Sequence, residues 1–332
     1  MGLFFYLFFM RLVYSLIVVL MFLSCGRKET NEQKIIKNVD IQESQLEVYL
    51  QILGTTQDGG SPHTGCQKEC CRALFLAGKS DRKVVSLGLV SAETSQTWLF
   101  EATPDLPFQM QVLQKEIGST SKTPNGIFLT HAHIGHYTGL MFLGREVMNS
   151  KNVSVYGLPR MKSFIESNGP WNQLVDLKNI ELKQLKSDSV IQLNPKIRIT
   201  PISIPHRDEF SETAGFLISG PSKTALFIPD IDKWEKWNRN INEFIAKVDY
   251  AFLDATFYDE TEIPGRKMSE IPHPFVKESM QRFDTLSEAL KKKIIFIHMN
   301  HTNPLLDRTS IQYQLVIKKG YRVAKNGDRY FL

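Results

Sequence analysis

Three closely spaced histidines are the clearest chemical feature of the sequence. His131, His133 and His136 fall within six residues, directly after the short apolar run 127–129. Imidazole is the commonest protein ligand of catalytic transition metals. A buried strand that ends in a loop carrying several imidazoles therefore predicts a metal site.

Other candidate ligands follow apolar runs in the same way. His206 comes after residues 197–205, Asp230 after residues 225–229 and His298 after residues 293–297. Because ligand sites in α/β proteins form where strands end, these side chains are expected to gather at one edge of a sheet. The sequence thus predicts one centre built from histidines and an aspartate.

The elements that would position these residues alternate between strands and helices. Apolar periodicity predicts helices at 105–117, 138–148, 159–167, 233–247, 274–290 and 309–319. Strands are predicted at 46–53, 84–90, 97–101, 127–130, 153–156, most of 180–228, 250–253 and 294–297, with a hairpin or strand pair at 321–332. Two strand-rich halves with helices favour an α/β (α+β) fold of two sheets packed face to face. No break in composition divides residues 46–332, which are therefore predicted to form one domain.

The overall composition is that of a globular protein. Of the 332 residues, 42% are hydrophobic and 23% are charged, and the net charge is only +5. Lysines and arginines are scattered, which is typical of a solvated surface. A small-molecule substrate is expected and a nucleic-acid partner is not.

The N-terminus is an exception to that composition. Residues 2–24 are almost wholly apolar, and the polar stretch that follows Cys25 lacks periodicity. This pattern resembles a bacterial lipoprotein signal. It predicts a signal peptide at 1–24, lipidation of Cys25, a flexible tether at 25–45 and a membrane-anchored lipoprotein in the bacterial cell envelope, facing the periplasm or the exterior. An uncleaved membrane anchor and a translation start at Met10 stay open.

Three further cysteines form a compact cluster in the sequence. Cys66, Cys70 and Cys71 lie close together, with His63 nearby. Such a set can hold a structural zinc ion. A disulfide with one free thiol fits the spacing equally well, so the sequence leaves both readings open.

Taken together, these motifs resemble the metallo-β-lactamase superfamily of hydrolases, whose pattern is His-x-His-x-Asp-His followed by a His, an Asp and a His at later strand ends. The resemblance implies a four-layer αβ/βα metallo-β-lactamase sandwich. Within the superfamily, the Gly59-Gly60 turn, the nearby cysteines and segment 298–304 are most similar to the pyrroloquinoline-quinone biosynthesis protein B branch. A second similar branch holds cyclic phosphodiesterases related to tRNA-maturation endonucleases, and it carries an extra histidine before a late helix.

The resemblance also implies roles for individual residues. A first metal site would use His131, His133 and His206, a second would use His136 and His298, and both would share Asp230. One or two zinc ions are expected, with manganese or iron as alternatives. The extra histidine of the second branch corresponds to His273, which would act on the leaving group. His301 is predicted as a second catalytic residue, although its place is also compatible with an ordinary loop.

One position departs from the superfamily pattern. Gly135 stands where the aspartate of the second metal site belongs. Loss of that ligand favours a single-metal centre. Asp58, in the loop after the first strand, could supply the missing carboxylate, but it also fits an ordinary turn before Gly59-Gly60.

The function expected from these features is metal-dependent hydrolysis. A metal-bound hydroxide would attack an ester or a phosphodiester-like substrate. Two alternatives stay open: an oxidative enzyme like the quinone-biosynthesis branch, and a non-catalytic metal-binding envelope lipoprotein.

Overall fold

Two mixed sheets of seven strands each form the centre of the computed structural model, which describes residues 48–78, 80–118 and 121–332. The first sheet has the strand order β14-β1-β2-β3-β4-β5-β6 and the second the order β13-β12-β11-β10-β9-β8-β7. In chain order the strands are β1 Val48–Gly54, β2 Ser86–Ser91, β3 Gln96–Phe100, β4 Gly126–Phe128, β5 Val153–Gly157, β6 Ile180–Gln184, β7 Ile191–Asn194, β8 Ile197–Ile204, β9 Thr213–Ser219, β10 Thr224–Ile228, β11 Tyr250–Asp254, β12 Ile294–Ile297, β13 Arg322–Val323 and β14 Arg329–Phe331.

Short helices connect these strands and cover the outer faces of both sheets. The α-helices are α1 Glu69–Ala77, α2 Leu106–Ile117, α3 Ile134–Tyr137, α4 Pro159–Ser167, α5 Trp171–Asp176, α6 Ile241–Lys247, α7 Val276–Arg282, α8 Glu288–Lys291 and α9 Ile311–Lys318. Short 3₁₀ helices lie at Thr138–Leu143, Trp234–Lys236, Glu260–Glu262, Met268–Glu270 and Pro304–Leu306. Within the described ranges, none of the helices has the length and apolar character needed to cross a bilayer.

Three apolar cores hold the layers together. The central core joins the facing sides of the two sheets, with Phe100 and Phe128 from the first sheet against Phe216 and Phe227 from the second. Two outer cores pack helices onto the opposite face of each sheet. This arrangement of helices, sheet, sheet and helices confirms the predicted four-layer sandwich.

The strand directions explain why the candidate ligands meet. β3 to β6 run parallel in the first sheet, and β10 to β13 run parallel in the second. The carboxyl ends of β4, β10 and β12 therefore open on connecting loops at one edge of each sheet. His131, Asp230 and His298 lie in those loops, one to three residues past the end of their strands.

Several predicted helices are shorter than expected or broken. The predicted helix 138–148 is a 3₁₀ helix at Thr138–Leu143. The backbone at Gly139 approaches Thr103 so closely that an added Cβ would lie 2.0 Å from the Thr103 carbonyl oxygen. The predicted helix 233–247 is split, and Asn240 caps α6 by accepting a hydrogen bond from the backbone of Asn242. The predicted helix 274–290 is likewise split, and Ser287 caps α8. Helix α1, which carries two of the cysteines, was not predicted.

The hairpin or strand pair predicted at 321–332 is present as two strands, but they do not pair with each other. β13 pairs in parallel with β12 in the second sheet, whereas β14 pairs antiparallel with β1 in the first. The turn at Asn326-Gly327 therefore carries the chain from one sheet to the other.

The predicted signal peptide, the lipidated Cys25 and the tether to residue 45 lie outside the described residues. The compact unit that contains the described residues spans Glu47–Leu332.

Candidate metal centre

The first cluster joins three histidines and one aspartate at the sheet edges. His133 Nδ1 lies 2.8 Å from His131 Nε2 and 3.3 Å from His206 Nε2. Asp230 Oδ2 lies 3.5 Å from His131 Nε2 and 3.2 Å from His206 Nε2. The four ligand atoms lie within 4.8 Å of one another, a spacing that one metal ion can bridge.

The second cluster shares Asp230 and adds two histidines and Asp58. Asp58 Oδ1 lies 3.0 Å from His136 Nε2 and 3.5 Å from His298 Nε2. Asp230 Oδ2 lies 3.9 Å from each of these two nitrogens. His298 Nε2 is buried and has no hydrogen-bond partner among the described residues, as expected of a nitrogen aimed at a metal ion. The donor set of both clusters fits a transition metal.

Burial and charge set the protonation of these residues in the metal-free protein. Burial lowers the pKa of His131 well below its usual range, and the neighbouring His136 lowers it further, so His131 is a neutral ligand. Burial raises the pKa of Asp230, but the charges of His206, His273 and His298 outweigh burial and hold that pKa well below its usual range. The aspartate that the clusters share is therefore ionised and can take part in both.

Buried carboxylates orient the histidines from behind. Glu101 Oε1 lies 3.2 Å from His136 Nδ1, and Asp232 Oδ1 lies 3.3 Å from His206 Nδ1. Such contacts fix which ring nitrogen is free to bind a metal. Glu101 and His298 both have left-handed backbones, with φ of 79° and 67°. Non-glycine residues in that region are uncommon, and they concentrate at functional sites.

His273 joins the same centre from the loop before α7. Its Nδ1 lies 3.0 Å from Asp230 Oδ1 and 3.0 Å from Asp254 Oδ2. Burial lowers the pKa of His273, but the charges and hydrogen bonds of the two carboxylates raise it to about 10 in the metal-free protein. Thr256 Oγ1 donates to Asp254 and lies 2.9 Å from His298 Nδ1, which ties this pair to the second cluster.

The three remaining cysteines form a separate cluster beside α1. Cys70 Sγ lies 4.0 Å from Cys66 Sγ and 3.9 Å from Cys71 Sγ. A disulfide bond is about 2.05 Å long, so all three are thiols. The imidazole of this cluster comes from His301, whose Nδ1 lies 3.6 Å from Cys70 Sγ and 3.4 Å from Cys71 Sγ. A Cys₃His set is a common structural zinc site.

Two sequence predictions change at this cluster. His301 was assigned to catalysis, but the structure places it against the thiols instead of the histidine-aspartate clusters. His63 was assigned to the thiol cluster, but its Nδ1 faces the carbonyl oxygen of Thr64, and only its backbone N–H reaches Cys71. The His63 ring stacks on the outside of His301, with 4.5 Å between ring centroids.

The sequence predictions overlooked the acidic residues behind the ligands. Glu101 directly follows β3, and Asp254 is the last residue of β11. The rule that found Asp230, an acidic residue at the end of a buried apolar run, would have found both. The other predicted ligands of the histidine-aspartate centre are all brought together: His131, His133, His136, His206, Asp230 and His298.

A groove opens beside the second cluster. It has a volume of 730 Å³ and extends from Asp58 and Ile134 past Lys83 to Phe108. Lys83 Nζ lies 4.3 Å from the centre of the Phe108 ring and 3.5 Å from Asp105 Oδ1. The groove thus combines apolar surface with the Lys83–Asp105 ion pair next to the candidate metal centre.

Sequence comparison finds curated relatives that span most of this chain. Curated relatives include the coenzyme PQQ synthesis protein B of Methylococcus capsulatus, 24% identical over 84% of this chain and 98% of the relative. The protein of the same name from Nitrosococcus oceani is 23% identical over the same shares of the two chains.

Solved structures show the same fold. The Zn²⁺-bound PqqB of Methylobacterium extorquens superposes with a TM-score of 0.69 at 22% identity, over 86% of this chain and 100% of that protein. A diphosphatase of the PhnP family superposes with a TM-score of 0.57 at 18% identity, over 86% of this chain and 97% of that protein. The sequence pattern described as the beta-lactamase superfamily domain matches residues 96–299. With this match and its buried histidine-aspartate clusters, the chain belongs to the metallo-β-lactamase superfamily of metal-dependent hydrolases.

Proposed function

We propose that the chain hydrolyses an ester or phosphodiester-like bond at the histidine-aspartate centre. The observation that carries this proposal is the sharing of Asp230 by two four-ligand clusters, with His273 held against the same carboxylate. A bound divalent ion, zinc in the first instance, would lower the pKa of a coordinated water to about 7 and polarise the scissile group.

The residues around the centre fit such a reaction. Asp230 and Asp254 both engage His273 Nδ1, which fixes the ring and leaves Nε2 for the substrate. A histidine in this position can protonate the leaving-group oxygen. The groove past Lys83 and Phe108 offers room for the rest of the substrate.

Turnover of chromogenic substrates tests the proposal directly. Full-length chain, purified in detergent, would be stripped with a chelator, reloaded with Zn²⁺ or Mn²⁺, and assayed on bis(p-nitrophenyl) phosphate and p-nitrophenyl acetate. We expect metal-dependent turnover that His131→Ala abolishes. His63→Ala is the matched control, because it removes an imidazole outside the metal-ligand clusters, and it should leave turnover intact. Turnover that survives His131→Ala, or none with metal bound, would overturn the proposal.

A second candidate function comes from the relatives. Their name, coenzyme PQQ synthesis protein B, favours oxidative chemistry on a quinone precursor, for which a histidine-carboxylate site with open positions can hold iron. Elemental analysis of chain purified without added metal distinguishes the two candidates. Iron in the histidine-aspartate centre, together with no hydrolytic turnover, would favour this second function.

We also propose that the chain is an envelope lipoprotein attached to the membrane through Cys25. The apolar run before Cys25 and the polar stretch after it support this anchor. Labelled palmitate should enter the wild-type chain and not a Cys25→Ala variant. Equal labelling of both proteins would refute lipidation at Cys25.

A further inference from the structure

The place of the missing motif aspartate is filled from another part of the chain. Gly135 is buried at the start of α3, between His133 and His136. A Cβ added at Gly135 would lie 2.5 Å from Asp58 Cα and 2.7 Å from Asp58 Oδ1. Because one of these atoms is backbone, no side-chain rotation relieves the clash. An aspartate at 135 and the present position of Asp58 therefore exclude each other.

The loop that carries Asp58 is fixed on both sides. The backbone N–H of Gln57 donates to the carbonyl of Met299, which directly follows His298, over 2.9 Å. Gly60 N–H donates back to the carbonyl of Gln57 over 2.8 Å, which closes a turn around Asp58. The same backbone contact therefore holds the loop of Asp58 to the segment of His298. Asp58 is a turn residue, as its sequence context suggested, but its side chain points into the centre.

The contacts of His136 indicate that a cation belongs beside Asp58. Glu101 lies against His136 Nδ1, and Asp58 lies against His136 Nε2. Because Nδ1 faces Glu101, Nε2 is the nitrogen of His136 that is left to bind a metal ion beside Asp58. The same Asp58 Oδ1 also faces His298 Nε2, which has no hydrogen-bond partner among the described residues, and a metal ion satisfies both nitrogens at once.

We propose that Asp58 is a metal ligand and completes a second site with His136, His298 and Asp230, so that the centre binds two ions. The carboxylate that the superfamily motif places at 135 is supplied instead by the loop after β1. This inference rests on the metal-binding part of the proposed function and does not depend on the substrate. It replaces the single-metal centre that the glycine at 135 predicts.

Mn²⁺ binding tests the proposal without any assay of activity. Mn²⁺ favours oxygen and nitrogen ligands over thiolates, so it reports on the histidine-aspartate centre and not on the cysteine cluster. Full-length chain, stripped with a chelator, would be titrated by calorimetry and followed by electron paramagnetic resonance. We expect two equivalents and the signal of a spin-coupled pair. Asp58→Asn keeps the shape of the side chain and removes its charge, and should weaken the second equivalent at least tenfold and leave the signal of an isolated ion.

Four variants separate the possible outcomes. Asp81→Asn removes an exposed carboxylate of the same region and should change nothing. Gly135→Asp should lower the melting temperature because of its clash with the backbone of Asp58. Two results would refute the role of Asp58 and leave the proposed function standing. In one, the wild-type chain binds a single ion, which His131→Ala removes. In the other, Asp58→Asn retains both ions at full affinity. If the wild-type chain binds no ion in this centre, the proposed function fails together with the role of Asp58.

Discussion

Replacing Glu101 by glutamine should weaken one metal site of the centre and spare the other. Glu101 is fully buried, and its two oxygens face different groups: Oε1 lies 3.2 Å from His136 Nδ1, and Oε2 accepts the backbone N–H of Thr130 over 3.3 Å. A glutamine has one acceptor oxygen and cannot serve both. If its oxygen keeps the Thr130 contact, its amide faces His136 Nδ1 and favours the ring tautomer that carries its proton on Nε2, the metal-binding nitrogen.

The size of the effect follows from the single contact that is lost. Removing a carboxylate that orients a metal-binding histidine typically costs about 10- to 100-fold in metal affinity. Since each tenfold change is about 1.4 kcal/mol, the second site should lose about 1.4 to 2.8 kcal/mol of binding free energy. The first site should change little, because Glu101 contacts none of its ligands.

Competition with a chromophoric chelator, for Zn²⁺ or Mn²⁺, measures the two affinities separately. Asp232→Asn is the matched control, since Asp232 Oδ1 lies 3.3 Å from His206 Nδ1 and serves the first site in the same way. Glu101→Gln should weaken binding of the metal ion that His136 holds. Asp232→Asn should weaken binding of the metal ion that His206 holds. Equal weakening of both equivalents by Glu101→Gln, or no weakening, would refute the assignment of Glu101 to the second site.

Three further predictions concern stability and the cysteine cluster. Burial raises the pKa of Glu262 to about 7, so the folded chain holds a proton that the unfolded chain releases above its usual pKa of 4.5. The stabilisation from this proton should be complete below pH 4.5 and lost as the pH rises to 7. The free energy of unfolding, measured with urea at pH 5 and pH 8, should therefore fall by up to ~3 kcal/mol. Glu262→Gln should abolish this fall. Phe100→Ala should cost about 3 to 5 kcal/mol in the same unfolding assay, because the Phe100 ring joins the two sheets. Cys71→Ser should remove the zinc of the cysteine cluster and leave Mn²⁺ binding unchanged, as elemental analysis can show; retention of that zinc would exclude Cys71 as a ligand.

The positions of the histidine-aspartate ligands could be predicted from sequence because a simple rule governs them. A buried strand is a short apolar run, and its end is marked by the first polar residue. Asp230 and His298 are that first polar residue, and His131 follows it by one position. Parallel neighbours then bring their carboxyl ends to one edge, so ligands that are far apart in sequence meet in space. The four-layer architecture follows from the same strands, together with the superfamily motif.

The partner of the cysteine cluster could not be found in this way. His301 and Cys71 are 230 positions apart, and no local pattern links them. Their contact depends on how the loop after β12 packs against α1, a helix that the sequence analysis missed. His63, by contrast, is near the cysteines in the sequence, but its Nδ1 contacts the carbonyl oxygen of Thr64. Closeness along the chain is a poor guide to ligation when a tertiary contact offers a better-placed ring.

The terminal strands show the same limit for pairing. Asn-Gly between two short apolar runs is a strong signal of a hairpin. In this chain, however, β13 completes the parallel ladder beside β12, and β14 covers the free edge of β1. Local turn chemistry is satisfied in either arrangement. Which strands pair is decided by the free edges of β12 and β1, and the residues of β1 lie far earlier in the sequence.

Gly135 shows why a motif should be judged by the space around it. When the sequence is compared with the motif alone, Gly135 means that one ligand is missing and that the second site is incomplete. In the folded chain, the volume that a side chain at 135 would need is occupied by the backbone and carboxylate of Asp58. The absence of a side chain at 135 is therefore the condition that lets the loop after β1 approach His136 and His298. What a metal ion requires is a carboxylate oxygen at a given distance from those nitrogens, and the fold can deliver that oxygen from either segment, but not from both.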